Sequence, residues 1–228
     1  MEHPIFFIDA ILSAMGVEHA GAYSHVTYTW LVMLILIVSA LFLAKKIKLV
    51  PEGRQNFFEV VLDGLEKFMV DITGPEGRFF FPYVGTIFLF IFVSNLIGLV
   101  PGCFSPTANL NTTLAMALCT FVLTHIIGIK FHGAKYIKHF FGPVWWLAPL
   151  MFPIELIGHF ARIMSLSVRL FGNIFGKEMV LAILFGLAGL YLAPLPILFL
   201  GLLVCFIQAL VFMLLSIMYF VGAMEHAH

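Results

Sequence analysis

Charge is what this sequence has least of. Only 11% of its 228 residues are Asp, Glu, Lys or Arg, against about 25% in an ordinary soluble domain. The formal net charge is zero, so no global field argues for a nucleic-acid partner. Cysteine is nearly as scarce. Cys103, Cys119 and Cys205 stand far apart, form no CxxC or zinc spacing, and read as small hydrophobes among apolar neighbours. HExxH and GxSxG are missing. Gly172 to Lys177 ends in Gly-Lys but has three residues between its glycines, where a phosphate loop has four; Glu178 stands where Ser or Thr would hold magnesium. No nucleotide site, metal or cofactor is therefore expected in this chain. The absence of an internal repeat weighs against inverted-repeat transporters. The N-terminal residues are mildly acidic and rich in histidine, unlike the basic-then-apolar pattern of a cleavable leader.

What is present is apolar length. Hydrophobic residues make up 62% of the chain, which places it among polytopic membrane proteins. The fold class expected is all-α, with about five membrane helices plus an amphipathic surface helix, in one membrane domain over residues 1–228. Residues 1–26 form an outer N-terminal segment whose histidines have no ligand spacing. Residues 27–130 hold the first three spans: 27–44, 79–100 and 110–129, each close to the roughly 20 residues a bilayer needs. Between the first two, residues 54–73 repeat apolar side chains at helical spacing, while Glu59, Asp63, Glu66 and Lys67 forbid a span. This is an amphipathic helix on the membrane surface or against a neighbour. Basic clusters follow the first span (Lys45, Lys46, Lys48, Arg54) and the third (Lys130, Lys135, Lys138). The positive-inside rule then puts the N-terminus outside and the C-terminus in the cytoplasm. Residues 144–191 would run roughly 70 Å as one helix, against about 30 Å of hydrocarbon. With the return arm from Pro196 to Ala223 they form a long, tilted hairpin over residues 144–223. Pro149 and Pro153 mark an early break or a first-turn start.

Inside the first hairpin arm lies the run from Ser165 to Glu178, with Arg169, Lys177 and Glu178 in an apolar setting. Each such charge costs about 2.5–3.5 kcal/mol to insert and normally faces protein or a water-filled cavity. Arginine cannot escape the cost by losing its proton. On a helix, Ser165, Gly172, Asn173 and Gly176 fall within about 60° of Arg169, so the cation stands on a face of small or polar residues that lets another helix come close. Arg162 and Glu155 continue that stripe, with Arg162 expected to pair with Glu155 or with lipid headgroups. Glu178 points to the opposite face. Fourteen residues separate Glu155 from Arg169, too many for a pair along one helix, so the partner carboxylate is expected from another chain.

Arg169-Leu170-Phe171-Gly172-Asn173 followed by Glu178, with Ser94-Asn95-Leu96 and Pro101, Asn111-Thr112-Thr113-Leu114-Ala115-Met116-Ala117, and Gln208 in the last arm, resembles the bacterial type of F-type ATP synthase subunit a. The resemblance implies a stator ion-channel subunit without a catalytic ATP site. Two aqueous half-channels would carry protons or sodium ions to and from carboxylates of a subunit c ring. Subunit b of the peripheral stalk, the other ATP synthase subunits and membrane lipid would be partners, in an energy-transducing membrane such as the bacterial inner membrane. It further implies that Arg169 holds the ring carboxylate and separates the two paths, that Asn173 and Gln208 support it, that Glu178 lines the outer path, and that Ser165 and Glu155 lie toward the cytoplasmic exit. Two positions depart from the pattern. Lys177 stands where many members have a small residue, and Gly201 where many have an ionisable one. We take Gly201 to leave room for Lys177, which would then tune proton uptake or else snorkel to an interface. The alternative is a proton or sodium transporter or channel that acts without a rotor, and a membrane enzyme is disfavoured by the lack of a nucleophile or metal constellation.

Overall fold

A computed structural model describes residues 23–45, 53–100, 102–133, 148–188 and 195–225. Residues 1–22 of the expected N-terminal segment, Lys46, Lys48, Lys135, Lys138 and the turn at Pro194 lie outside the described residues, while residues 24–26 open α1. Among the described residues there are helices and no strand. In chain order these are α1 (Ser24–Ala44), α2 (Arg54–Thr73), α3 (Phe81–Ile97), α4 (Leu110–His132), α5 (Ala148–Ala188) and α6 (Leu195–Glu225), with short 3-10 turns at Pro75–Phe80 and Pro106–Ala108. Five of the six are long and apolar enough to cross a membrane. The exception is α2, the expected amphipathic helix.

Local chemistry sets the boundaries. On α2, Gln55 donates to Glu59 over 2.7 Å, and Glu66 pairs with Arg78 beyond the helix end. The helix stops at Gly74, whose φ of +72° is a conformation that side chains with a Cβ rarely adopt. Asn109 caps α4 by accepting the Asn111 N–H on its side-chain oxygen. Helix α5 is described from Ala148 and runs on through Pro153. Pro153 lies inside the helix and removes one ladder bond there, yet the helix continues past it.

Lipid tails offer helices no hydrophobic drive to associate, so packing and hydrogen bonds must do it. The centre of the bundle is α3 against α6, where Phe206 meets Phe88 and Phe92 edge-on with centroids 6.2 and 6.1 Å apart. Such pairs contribute about 0.5–1.5 kcal/mol beyond their area. One stripe of α5 (Ile163, Leu166, Leu170 and Ile174) is buried in the same core. Helix α1 is peripheral, anchored by the buried Tyr28 and Val32 and by the Tyr28 hydroxyl donating to the Gly102 carbonyl. At 41 and 31 residues, α5 and α6 measure about 60 and 45 Å. Both exceed the slab, so they must lie inclined or project beyond it.

Candidate functional site

The register of α5 sorts its polar residues onto two sides. Ser165, Arg169, Gly172, Asn173 and Gly176 are all exposed. The Arg169 guanidinium donates to Ser165 Oγ at 3.3 Å, a fourth-residue neighbour on the same face. Among the described residues, no carboxylate is paired with it. A Cβ built on Gly172 or Gly176 would meet nothing within 4 Å. Around Arg169 and Gly172 this face is thus smooth and open, while Asn173 and Gly176 border α6 at its edge.

The other side is enclosed. Glu178 is half-buried, and one carboxylate oxygen accepts the Ser105 N–H at 3.0 Å. Ser105 Oγ lies 3.0 Å from the Ser94 carbonyl, to which it donates, and 2.8 Å from the Thr107 hydroxyl. Thr107 in turn donates to the Asn95 side-chain oxygen. All four of these residues are fully buried. The uncharged loop before α4 therefore folds inward and caps Glu178. Gly98 permits this: a Cβ there would lie 2.6 Å from Ser105 Cβ and 3.0 Å from the Glu178 carboxylate. Ser94 Oγ and Asn95 Nδ2 are buried without a hydrogen-bond partner among the described residues, each costing about 1–3 kcal/mol.

Lys177 lies between the two sides. Its Nζ donates to the Asn95 carbonyl at 3.4 Å and lies 3.4 Å from Cys205 Sγ, which itself donates to that carbonyl at 3.2 Å. A Cβ on Gly201 would sit 3.4 Å from Lys177 Cδ and 2.7 Å from Leu99 Cδ2. The lysine stem thus fills the space that the glycine leaves. Nearby, Asn173 Nδ2 donates to Gln208 Oε1 at 2.8 Å and clamps the hairpin arms together. Asn173, Lys177, Gly201 and Gln208 line an open hollow of about 440 Å³ between those arms. Toward the start of α5, Glu155 does not pair with Arg162. Its carboxylate lies 3.4 Å from His159 Nε2, one turn along, while the Arg162 guanidinium lies over the Tyr219 ring at 5.8 Å. A neighbour one turn away and an aromatic face on α6 are both nearer than a residue two turns back.

The sequence family described as ATP synthase A chain matches residues 26–221. The chain belongs to the ATP synthase subunit a family. It is 61% identical over 229 residues to ATP synthase subunit a of Desulfosudis oleivorans, 59% over 239 to that of Syntrophobacter fumaroxidans, and 54% over 231 to that of Citrifermentans bemidjiense, with 100% of both chains covered each time. As a member of the subunit a family with five helices, among the described residues, long and apolar enough to span, it is a multi-pass membrane protein. In this member of the subunit a family the site also recruits Gly98, Ser105, Thr107 and Cys205, which sequence reasoning did not single out. The one available signal was the loop's lack of charge, which allows burial.

Proposed function

We propose that the chain is the ion-carrying stator subunit of a rotary ATP synthase, a single membrane unit that presents Arg169 to the carboxylates of a subunit c ring and couples proton flow to ATP synthesis. The observation that carries this is the exposure of Arg169 on a small-residue face, with Gly172 beside it open to its surroundings. A permanent cation at membrane depth calls for an anion, and a smooth face calls for a close helix. A ring carboxylate supplies both.

Two aqueous half-paths complete the reading. The outer one runs by Glu178, with Lys177 beside it and the unpartnered Asn95 Nδ2 and Ser94 Oγ as places where water would be held; Asn173 and Gln208 fix the hairpin at the rim. The other leaves past Ser165 and Glu155. Arg169 holds the deprotonated ring carboxylate and blocks direct passage between the paths. One charge crossing 100 mV is worth about 2.3 kcal/mol, so that block preserves the driving force. The basic segments put the N-terminus outside and the C-terminus in the cytoplasm of a bacterial inner membrane. Subunit b and the remaining ATP synthase subunits hold the stator against the turning ring and carry the nucleotide chemistry.

The test is ATP-driven acidification and passive leak in inverted membrane vesicles carrying Arg169→Ala. Lost pumping in an assembled complex is expected, with an added leak as the sign of the sealing role. Normal pumping would overturn the reading.

A further inference from the structure

A second polar cluster lies at the cytoplasmic end of the hairpin, away from Arg169. His125 on α4 and His159 on α5 face each other with ring centroids 5.0 Å apart. His125 Nδ1 is 3.0 Å from the Phe121 carbonyl. A carbonyl only accepts, so this nitrogen carries the hydrogen and Nε2 is the basic one. Glu155 lies 3.4 Å from His159 Nε2. The two imidazoles, Arg162, Thr120 and Tyr219 line a cavity of about 20 Å³ between α4, α5 and α6. A water molecule needs about 10–15 Å³ with polar partners around it. From α3, the Tyr83 hydroxyl reaches Thr120 at 2.8 Å. His159 thus links the cavity, with Arg162 on its wall, to the Glu155 carboxylate.

We propose that His125, His159 and Glu155 form a one-proton relay station on the cytoplasmic half-path, so that ion release runs through α4 as well as α5. The inference rests on the stator reading. Electrostatics fixes the capacity. Two imidazolium rings this close, with the Arg162 guanidinium on the same wall, repel one another, and one carboxylate balances one added charge. A proton arriving from the Ser165 side is taken on an imidazole nitrogen, passes to the Glu155 carboxylate or through a single water to the other ring, and leaves to the aqueous phase, restoring neutral histidine. No other bond changes. Tyr219 and Tyr83 enter only as hydrogen-bonding hydroxyl groups, and Arg162 keeps a second proton out.

The test is passive proton conduction through vesicles stripped of the ATPase head, in His125→Ala, His159→Ala and the double variant, with Arg169→Ala run in parallel. Conduction is expected to fall about fivefold to tenfold. The part of its pH dependence between about pH 5 and 8, where histidine ordinarily changes charge, should flatten. Millimolar imidazole on the cytoplasmic face should restore the rate, and imidazole on the outer face should not. Wild-type conduction in the double variant overturns the relay. So does a fall in conduction with the pH profile unchanged and no rescue, which marks the histidines as packing residues. Normal ATP-driven pumping by Arg169→Ala in matched vesicles that keep the ATPase head would instead sink the stator reading, so the two failures are distinguishable.

Discussion

The two sides of α5 treat their charges in opposite ways. Arg169 is offered outward on a face of glycine and short polar residues, where its guanidinium donates to a neighbouring hydroxyl. Nine residues on, Glu178 is turned inward and capped by a backbone N–H from a loop that carries no charge. The difference follows from what each group can do. A guanidinium keeps its charge in any surroundings and needs only a partner that comes and goes. A carboxylate gains and loses its proton according to burial and neighbours, so its enclosure decides its behaviour. An open cation beside an enclosed acid is the arrangement expected of an ion path that must pass its load to a moving partner without a short circuit.

That contrast breaks most completely at Arg169. Removing one member of an enclosed charge pair leaves the other uncompensated, at about 3–5 kcal/mol, or a hundredfold and more in the populations that depend on it. Arg169→Ala is therefore expected to abolish ATP-driven acidification, and Arg169→Lys, which lacks the planar fork, to restore little of it. Recovery of pumping to half or more in the lysine variant would show that charge alone suffices.

Next in size is the openness of the face. Gly176→Leu adds a side chain whose Cβ meets nothing within 4 Å and which borders an open hollow, so the subunit should fold and insert at normal levels while pumping falls about tenfold or more. Overpacking a close helix contact typically costs 1–3 kcal/mol. Insertion measured by immunoblot and pumping measured in the same vesicles separate the two effects. Unimpaired pumping would mean that no helix approaches there.

On the enclosed side, Gly98→Ala puts a methyl group 2.6 Å from Ser105 Cβ and 3.0 Å from the Glu178 carboxylate. Either the loop or the acid must move, and about the same 1–3 kcal/mol is at stake. Here both assembly and pumping are expected to suffer, by a few-fold to tenfold. Ser105→Ala retains the backbone N–H that Glu178 accepts, and so should do less harm than Gly98→Ala. The reverse order would show that the hydroxyl network, rather than the N–H, holds the acid.

How much of this contrast the sequence carries depends on whether one helix or two must be known. Periodicity is information within a helix. It was enough to put Ser165, Gly172, Asn173 and Gly176 with Arg169 and to turn Glu178 away, and α2 spans the residues its apolar spacing predicts. Within α5 the helix runs on through Pro153, where the proline spacing suggests an early break or a first-turn start. What periodicity cannot supply is the register between helices far apart in sequence. Lys177 meeting Cys205, His125 meeting His159, and the loop at Ser105 closing on Glu178 depend on such registers. The expected Arg162–Glu155 pair failed for the same reason, since Tyr219 competes from a different helix. Family resemblance assigns Asn173 and Gln208 each to the arginine region, and the bond between them is a further contact that only the inter-helix register reveals.

The smallest expected effect lies where the two sides meet. Gly201→Ala places its methyl 2.7 Å from Leu99 Cδ2, the far end of a flexible side chain, and at ordinary contact distance, 3.4 Å, from Lys177 Cδ. A leucine terminus can turn aside, and alanine in a helix is favoured over glycine by roughly 0.5–1 kcal/mol. The gain and the crowding nearly offset, so assembly should stay within a few tenths of a kcal/mol of wild type, about a twofold change at most. Lys177 is then held slightly more firmly toward the Asn95 carbonyl. Lys177→Ala, by contrast, removes the cation beside Glu178 and should change the pH dependence of pumping without changing assembly. If Lys177→Ala leaves that dependence untouched while Gly201→Ala lowers assembly, the lysine is a packing element between the hairpin arms, and the outer path must be drawn through Glu178 without it.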